Sequence, residues 1–157
     1  MERVTISLDD ELASEFDGYT QTHGYGNRSE AVRDLIRQRL GSLALEGGEA
    51  PYCVGSLTYT YNHSERELAS RLTRQQHDHH DLVLSSVHTH LDHEHCFETV
   101  MLRGPTQAVR RFAEAVMAET GVHHGRLHLV AVDAQRGEHR HDDDAEAGDH
   151  LHTPPRI

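Results

Sequence analysis

The chain opens on a clean two-residue alternation. In Glu-Arg-Val-Thr-Ile-Ser-Leu, residues 2–8, Val4, Ile6 and Leu8 point one way and Arg3, Thr5 and Ser7 the other, the period of a strand with one buried face. The period then lengthens. Leu12, Phe16 and Tyr19 fall on one stripe of a helix over about residues 10–23, with Asp9 placed to cap it. Gly24-Tyr25-Gly26 breaks that helix. Asn27-Arg28-Ser29-Glu30 has the form of a capping box, Asn27 at the cap and Glu30 three residues on. The second helix, over about 28–41, presents Ala31, Leu35, Ile36 and Leu40. One strand and two helices in about 40 residues enclose too little apolar surface to fold alone. The unit, taken as residues 1–44, therefore needs a partner.

Residues 45–51, ending Gly-Gly-Glu-Ala-Pro, are expected to form a linker, and the pattern changes beyond it. Residues 52–62 alternate as a strand, and 64–77 have helical spacing with Leu68, Ala69 and Leu72 apolar. Residues 82–91 and 96–103 predict a β-hairpin. Pro105, at a first helical position, opens a helix to about Glu119 that places Val109, Phe112, Ala113 and Val116 on one face; Gly121 ends it, and 126–133 form a last strand. The order β-α-β-β-α-β over residues 52–133 is the ferredoxin-like pattern, so the fold class is α+β. Residues 134–157 are mostly Arg, Glu, Asp, His and Gly, an acidic tail expected to be disordered.

Composition narrows the functional classes. The 157 residues carry a formal charge of -11, and all 15 basic residues are Arg. A charge this negative argues against diffuse nucleic-acid binding but leaves room for a local basic surface. No apolar run approaches the roughly 20 residues of a membrane span, and the N-terminus has no apolar signal core, so the expected compartment is the cytoplasm. Two cysteines are too few for a secreted disulfide scaffold, and a reducing compartment leaves the thiol free for metal.

The densest chemistry lies between His77 and Cys96, which contains seven histidines and one of the two cysteines. His88 and His90 flank a single residue in a β-like run, so their side chains share a face. Cys96 follows the turn-like Asp92-His93-Glu94-His95 and so folds back beside them, while His77 ends the preceding helix. Three imidazoles and one thiolate are a compact metal-binding set. A tetrahedral arrangement suits Zn²⁺, a planar one Ni²⁺ or Cu²⁺, and spacing does not choose between them. His79 is the nearest alternative ligand; His80, His93 and His95 are peripheral. The tail repeats the H-x-H pattern at His139/His141 and His150/His152 without a thiol. Cys53, near a strand start, is expected to be a small buried residue. There is no credible nucleophile–base pair, and a site with four protein ligands leaves no open position, so the chain is not expected to be an enzyme.

The N-terminal strand and two helices form the ribbon-helix-helix pattern, in which two chains pair their strands into a ribbon that enters the major groove. Arg3 is suited to guanine, and the hydroxyls of Thr5 and Ser7 to base edges. Asn27, Arg28 and Ser29 open the second helix, where free N–H groups and the guanidinium suit a phosphate.

Three segments, R-V-T-I-S-L-D-D-E-L, G-Y-G-N-R-S-E-A-V-R-D and Q-H-D-H-H-D-L…H-T-H…C, carry a family likeness. Over about residues 1–132 the chain resembles the nickel-responsive transcriptional repressors, the NikR family. The resemblance implies a ribbon-helix-helix domain joined to a ferredoxin-like, ACT-type regulatory domain, assembled as a homotetramer that is a dimer of dimers. It implies one Ni²⁺ per subunit in a square-planar site made by His88, His90 and Cys96 of one subunit and His77 of a neighbour. Glu98 then orients the ligands, and Glu30 and Asp34 belong to a second cation site between the domains. The output is repression of nickel-uptake genes through a palindromic operator. The residues alone leave open the same architecture sensing Co²⁺, Cu²⁺ or Zn²⁺, or a metal-buffering protein that does not bind DNA.

Overall fold

The computed structural model describes residues 3–65, 67–139 and 148–155, with backbone alone at 135–139 and 148–152. Its contacts divide into two compact units, Met1–Leu40 and Gly41–Ile157.

In the first unit, helix α1 (Asp10–Thr22) begins where the Asp9 carboxylate accepts the N–H of Leu12 at 2.9 Å, the cap expected from sequence. Gly24, at φ +70°, lets the chain turn back, and the rings of Tyr19, His23 and Tyr25 cluster, with the Tyr19 centroid 4.1 Å from that of His23 and 5.9 Å from that of Tyr25. Helix α2 (Arg28–Glu46) starts with the N–H of Glu30 donating to Asn27 Oδ1 at 2.9 Å, one arm of the capping box. Two expectations need correction. Residues 3–9 form no strand, and Val4, Ile6 and Leu8 are 77%, 59% and 40% exposed. A ladder needs a second strand to receive its hydrogen bonds, and a single chain supplies none here. Helix α2 also runs past the expected end near residue 41. Leu43, Ala44 and Leu45 are strong helix formers, Leu45 is buried, and the helix stops only at Gly47-Gly48, where Gly48 has φ +73°.

The second unit holds β1 (Tyr52–Asn62), α3 (Leu68–Asp78), β2 (Val83–His90), β3 (His95–Pro105), α4 (Thr106–Met117) and β4 (Val122–Val132). These strands form one antiparallel sheet in the order β2-β3-β1-β4, the ferredoxin-like arrangement. Alternation along β1 buries Cys53, Leu57, Tyr59 and Tyr61, and along β3 it buries Cys96, Glu98, Val100 and Leu102. Leu68 and Leu72 of α3, with Val109, Phe112, Ala113 and Val116 of α4, complete the core. Helix α3 starts four residues later than its spacing suggests, because Asn62 draws the chain into a turn. Its side chain accepts the N–H of Ser64 at 2.8 Å, and its carbonyl accepts that of Glu65 at 3.2 Å.

The described part of the acidic tail carries backbone pairing. β5 (Gln135–His139) pairs with β6 (Gly148–His152), and the N–H of Asp133 donates to the carbonyl of Pro154 at 3.0 Å. Backbone pairing needs no apolar side chains, which is why composition did not reveal it. His141 and the side chains of His139, His150 and His152 lie outside the described residues. Among the described residues no helix is long and apolar enough to cross a membrane.

Candidate metal centre

Strand register builds the site. His90 on β2 faces Cys96 on β3, which faces Tyr61 on β1. One row inward, His88 faces Glu98, which faces Tyr59. Because side chains alternate, these six residues share one face of the sheet, the face whose β1 and β3 members are buried.

The tight turn between β2 and β3 holds Cys96 beside His90. Asp92 Oδ1 accepts the N–H groups of Glu94 and His95 at 2.8 and 2.7 Å. Those donors hold the Asp92 carboxyl down at about 2. Cys96 Sγ then lies 3.4 Å from His90 Nδ1. Two ligands at about 2.3 and 2.0 Å from a common metal stand roughly 3.1–3.6 Å apart, so this pair fits a single ion. Burial, then the Glu98 and Asp92 carboxylates, push the Cys96 thiol up, which keeps it protonated until a metal displaces the proton.

His88 stands beside the pair without joining it. Its ring centroid is 4.8 Å from that of His90, and its Nδ1 faces the Tyr61 hydroxyl at 3.4 Å. His77 is exposed near the end of α3. Among the described residues, the group of ligand atoms lying within 4.8 Å of one another is His63, His90 and Cys96. His63 escaped the sequence reading because it lies far from the histidine-rich stretch. Only pairing of β1 with β3 brings it near: its N–H donates to the Glu94 carbonyl at 2.9 Å, and its Nδ1 is 3.3 Å from Cys96 Sγ. A histidine one residue beyond a strand that ends opposite His95 was the available signal.

Glu98 is buried and ties α3 to the sheet. Gln76 of α3 donates to Glu98 Oε1 at 2.7 Å and to the Tyr59 hydroxyl at 3.3 Å. Burial, reinforced by the Glu98 charge, raises both tyrosines, Tyr61 to about 12 and Tyr59 beyond it. The carboxylate thus sits between the two histidines of β2 and the helix that carries His77. His79, the nearest alternative ligand, packs on Phe112 with ring centroids 5.1 Å apart. Cys53 is fully buried, as expected.

In the first unit Arg3, Thr5 and Ser7 are exposed together. Arg28 does not stand free at the start of α2: its Nε and Nη2 donate to the Asp17 carboxylate at 2.6 and 2.5 Å, which holds that carboxyl down. Asn27 spends its side-chain oxygen on the Glu30 N–H, and Ser29 is exposed in the first turn. Glu30 and Asp34 lie one turn apart on α2, and Asp34 accepts from Arg37 at 3.1 Å.

Comparison with known proteins places both units. Residues 54–130 match the NikR C terminal nickel binding domain, and residues 2–42 match the ribbon-helix-helix protein, copG family. A nickel-responsive regulator of Edwardsiella ictaluri is 50% identical over 145 residues, covering 90% of this chain and 100% of that protein. A putative nickel-responsive regulator of Brucella ovis is 49% identical over 132 residues, covering 84% of this chain and 100% of that one. Among solved structures, an uncharacterized protein from Thermotoga maritima aligns with a TM-score of 0.43 at 14% identity, over 50% of this chain and 95% of its own, too slight a likeness to add to the argument. With both units matched in order and half the residues shared along whole relatives, the chain belongs to the family of nickel-responsive regulators, a ribbon-helix-helix domain followed by a NikR-type C-terminal domain.

Proposed function

We propose that the chain is a nickel-dependent repressor working in the cytoplasm as a homotetramer, a dimer of dimers. His88, His90 and Cys96 of one subunit and His77 of a neighbour are its Ni²⁺ ligands, one ion per subunit in a square-planar site. The observation that carries this reading is the row His90–Cys96, held at 3.4 Å with His88 alongside on one face of the sheet. Nickel, when bound, supplies a bridge between subunits, and a ligand that bridges chains favours one assembly over others. Exposure of His77 and His90 is what a shared site requires. Glu98 and Gln76 orient the ligands through their hydrogen bond.

The output lies in residues 1–44, joined through 45–51 to the regulatory residues 52–133, with 134–157 as a tail. The bare apolar set Val4, Ile6 and Leu8 is the face a second copy covers when two strands form a ribbon. The opposite set, Arg3, Thr5 and Ser7, then reads base edges of a palindromic operator at nickel-uptake genes. Asn27, Arg28 and Ser29 sit at the phosphates. Both partners of the Arg28–Asp17 pair are exposed, at 64% and 42%, and exposed pairs are weak, so a phosphate displaces Asp17 readily. Glu30 and Asp34 contribute to a second cation site that supports the DNA-bound form.

The test is a gel shift of the full chain on the promoter of a nickel transporter, with and without Ni²⁺, beside Cys96→Ala. A nickel-dependent complex lost in the variant is expected. Nickel binding with no metal-dependent complex turns the reading into that of a metal buffer. Unchanged nickel affinity in Cys96→Ala overturns the site.

A further inference from the structure

We infer that the tail hairpin is a metal site of its own: His139 of β5 and His150 and His152 of β6 share one face of the two-stranded sheet and together bind a late first-row divalent cation through imidazoles alone. The site shares no residue with the nickel set on β2 and β3, and it stands whether or not that reading holds.

Register is the basis. Gln135 pairs with His152, Gly137 with His150, and His139 with Gly148. Directly opposed residues share a face, and so do residues two apart on one strand. One face therefore carries His139, His150, His152 and Gln135, with glycine at its two remaining positions, while Arg136, Glu138, Asp149 and Leu151 take the other. His150 and His152 stand about 6.7 Å apart along β6. His139 is the diagonal neighbour of His150 across the ladder, about 7–8 Å away, within the span of aromatic and long side chains. The other two corners of that square are Gly137 and Gly148, so no side chain stands across the diagonal.

The ladder has little else to hold it. A two-stranded hairpin by itself is marginally stable in water. Glycine weakens a strand, and Glu138 stands opposite Asp149, a like-charge pair that opposes pairing. The hairpin is anchored at its base, where Val132 bridges to Pro155 and the N–H of Asp133 donates to the Pro154 carbonyl at 3.0 Å. A cation shared by His139 and His150 ties the two strands at the end away from that base. Metal binding and strand pairing are then one equilibrium. Residues 133–157 hold seven acidic residues against three Arg, a local excess of negative charge that draws cations. Nitrogen ligands without a thiol suit Cu²⁺, Ni²⁺ or Zn²⁺, and the ion joins two strands of one chain rather than two subunits.

The test counts Ni²⁺ on the full chain by equilibrium dialysis and follows amide exchange at residues 135–139 and 148–152 with Zn²⁺ as the probe. Four proteins are compared: wild type, Cys96→Ala, the triple variant His139→Gln, His150→Gln and His152→Gln, and a swap. The swap combines Glu138→His with His139→Glu, which keeps the composition and moves one histidine to the opposite face. Wild type should hold one more nickel per subunit than the triple variant, with no added thiolate charge-transfer absorbance. Zn²⁺ should slow tail exchange in wild type and Cys96→Ala alike, and not in the triple variant. Loss of even an outer partner of a metal ligand weakens binding about 10–100-fold, so the swap should lose at least that much affinity at the tail. Equal nickel counts in wild type and the triple variant, or tail exchange indifferent to Zn²⁺, overturns the inference. A swap that binds as tightly as wild type overturns it too, since composition rather than register would then hold the metal. The nickel reading is judged separately by the charge-transfer band, which the tail variants should leave unchanged and Cys96→Ala should abolish.

Discussion

Glu98→Gln separates the charge of the buried carboxylate from its shape. Glu98 is 7% exposed and accepts from Gln76 at 2.7 Å. A hydrogen bond to a charged group contributes about 1.5–3 kcal/mol and a neutral one about 1, so the variant should lose about 1 kcal/mol near pH 7. For a unit of this size that is about 4–8 °C in Tm. Repulsion of the neighbours adds nothing there, because Tyr59, Tyr61 and Cys96 are all raised and remain protonated. In alkali the sign reverses. A raised acid holds its proton longer when folded than when unfolded. The stability it permits is therefore full below the unfolded value and lost as pH climbs to the folded one. For Tyr61, 3% exposed, that window runs from 10.0 to about 12. Two pKa units correspond to about 3 kcal/mol. Burial is the larger cause and Glu98 the next, so removing the charge should recover the smaller part of that loss. Urea melts of both proteins from neutral to strongly alkaline pH should converge, wild type ahead at pH 7 and its lead closing above pH 10. Thiolate absorbance in a Cys53→Ala background should place the Cys96 titration lower in the variant. An equal or higher titration point for Cys96 would falsify a contribution of the Glu98 charge to its raised value, of which burial is the larger cause.

Three further outcomes test the frame that carries the site. Phe112→Ala, at a position 2% exposed, should cost about 3–5 kcal/mol in urea unfolding; a cost under 1 would show that α4 does not pack as described. Gly121→Ala adds a Cβ where φ is +92° and Leu68 Cδ2 would lie 2.7 Å away, so a loss of about 1–3 kcal/mol is expected from strain and crowding. Asn27→Ala removes the acceptor of the Glu30 N–H and should lower stability by about 1 kcal/mol, with amide exchange quickening first at the start of α2.

Periodicity made much of this molecule legible. The caps at Asp9 and Asn27, the buried stripe of α4 and the β-α-β-β-α-β order all follow from local spacing, because caps and amphipathic faces are properties of neighbours in sequence. Element ends were less legible. Helix α2 outran its expected stop at about residue 41 because burial of Leu45 rewards helix beyond Gly41, and α3 started late because Asn62 captures the backbone groups that follow it. The first strand shows the opposite limit: its alternation is plain, yet one chain gives it nothing to pair with.

The histidine-rich stretch divides in the same way. That His88, His90 and Cys96 share a face follows from alternation and a short turn, both written into consecutive residues. That Glu98 lies between His88 and Tyr59, and that His63 comes to 3.3 Å from the thiol, depends on β1 pairing with β3 across more than 30 residues of chain. Strand alternation is a local steric fact and survives in the sequence alone. Register between distant strands is set by the whole core closing at once, and only the folded sheet could decide which imidazole meets the sulfur.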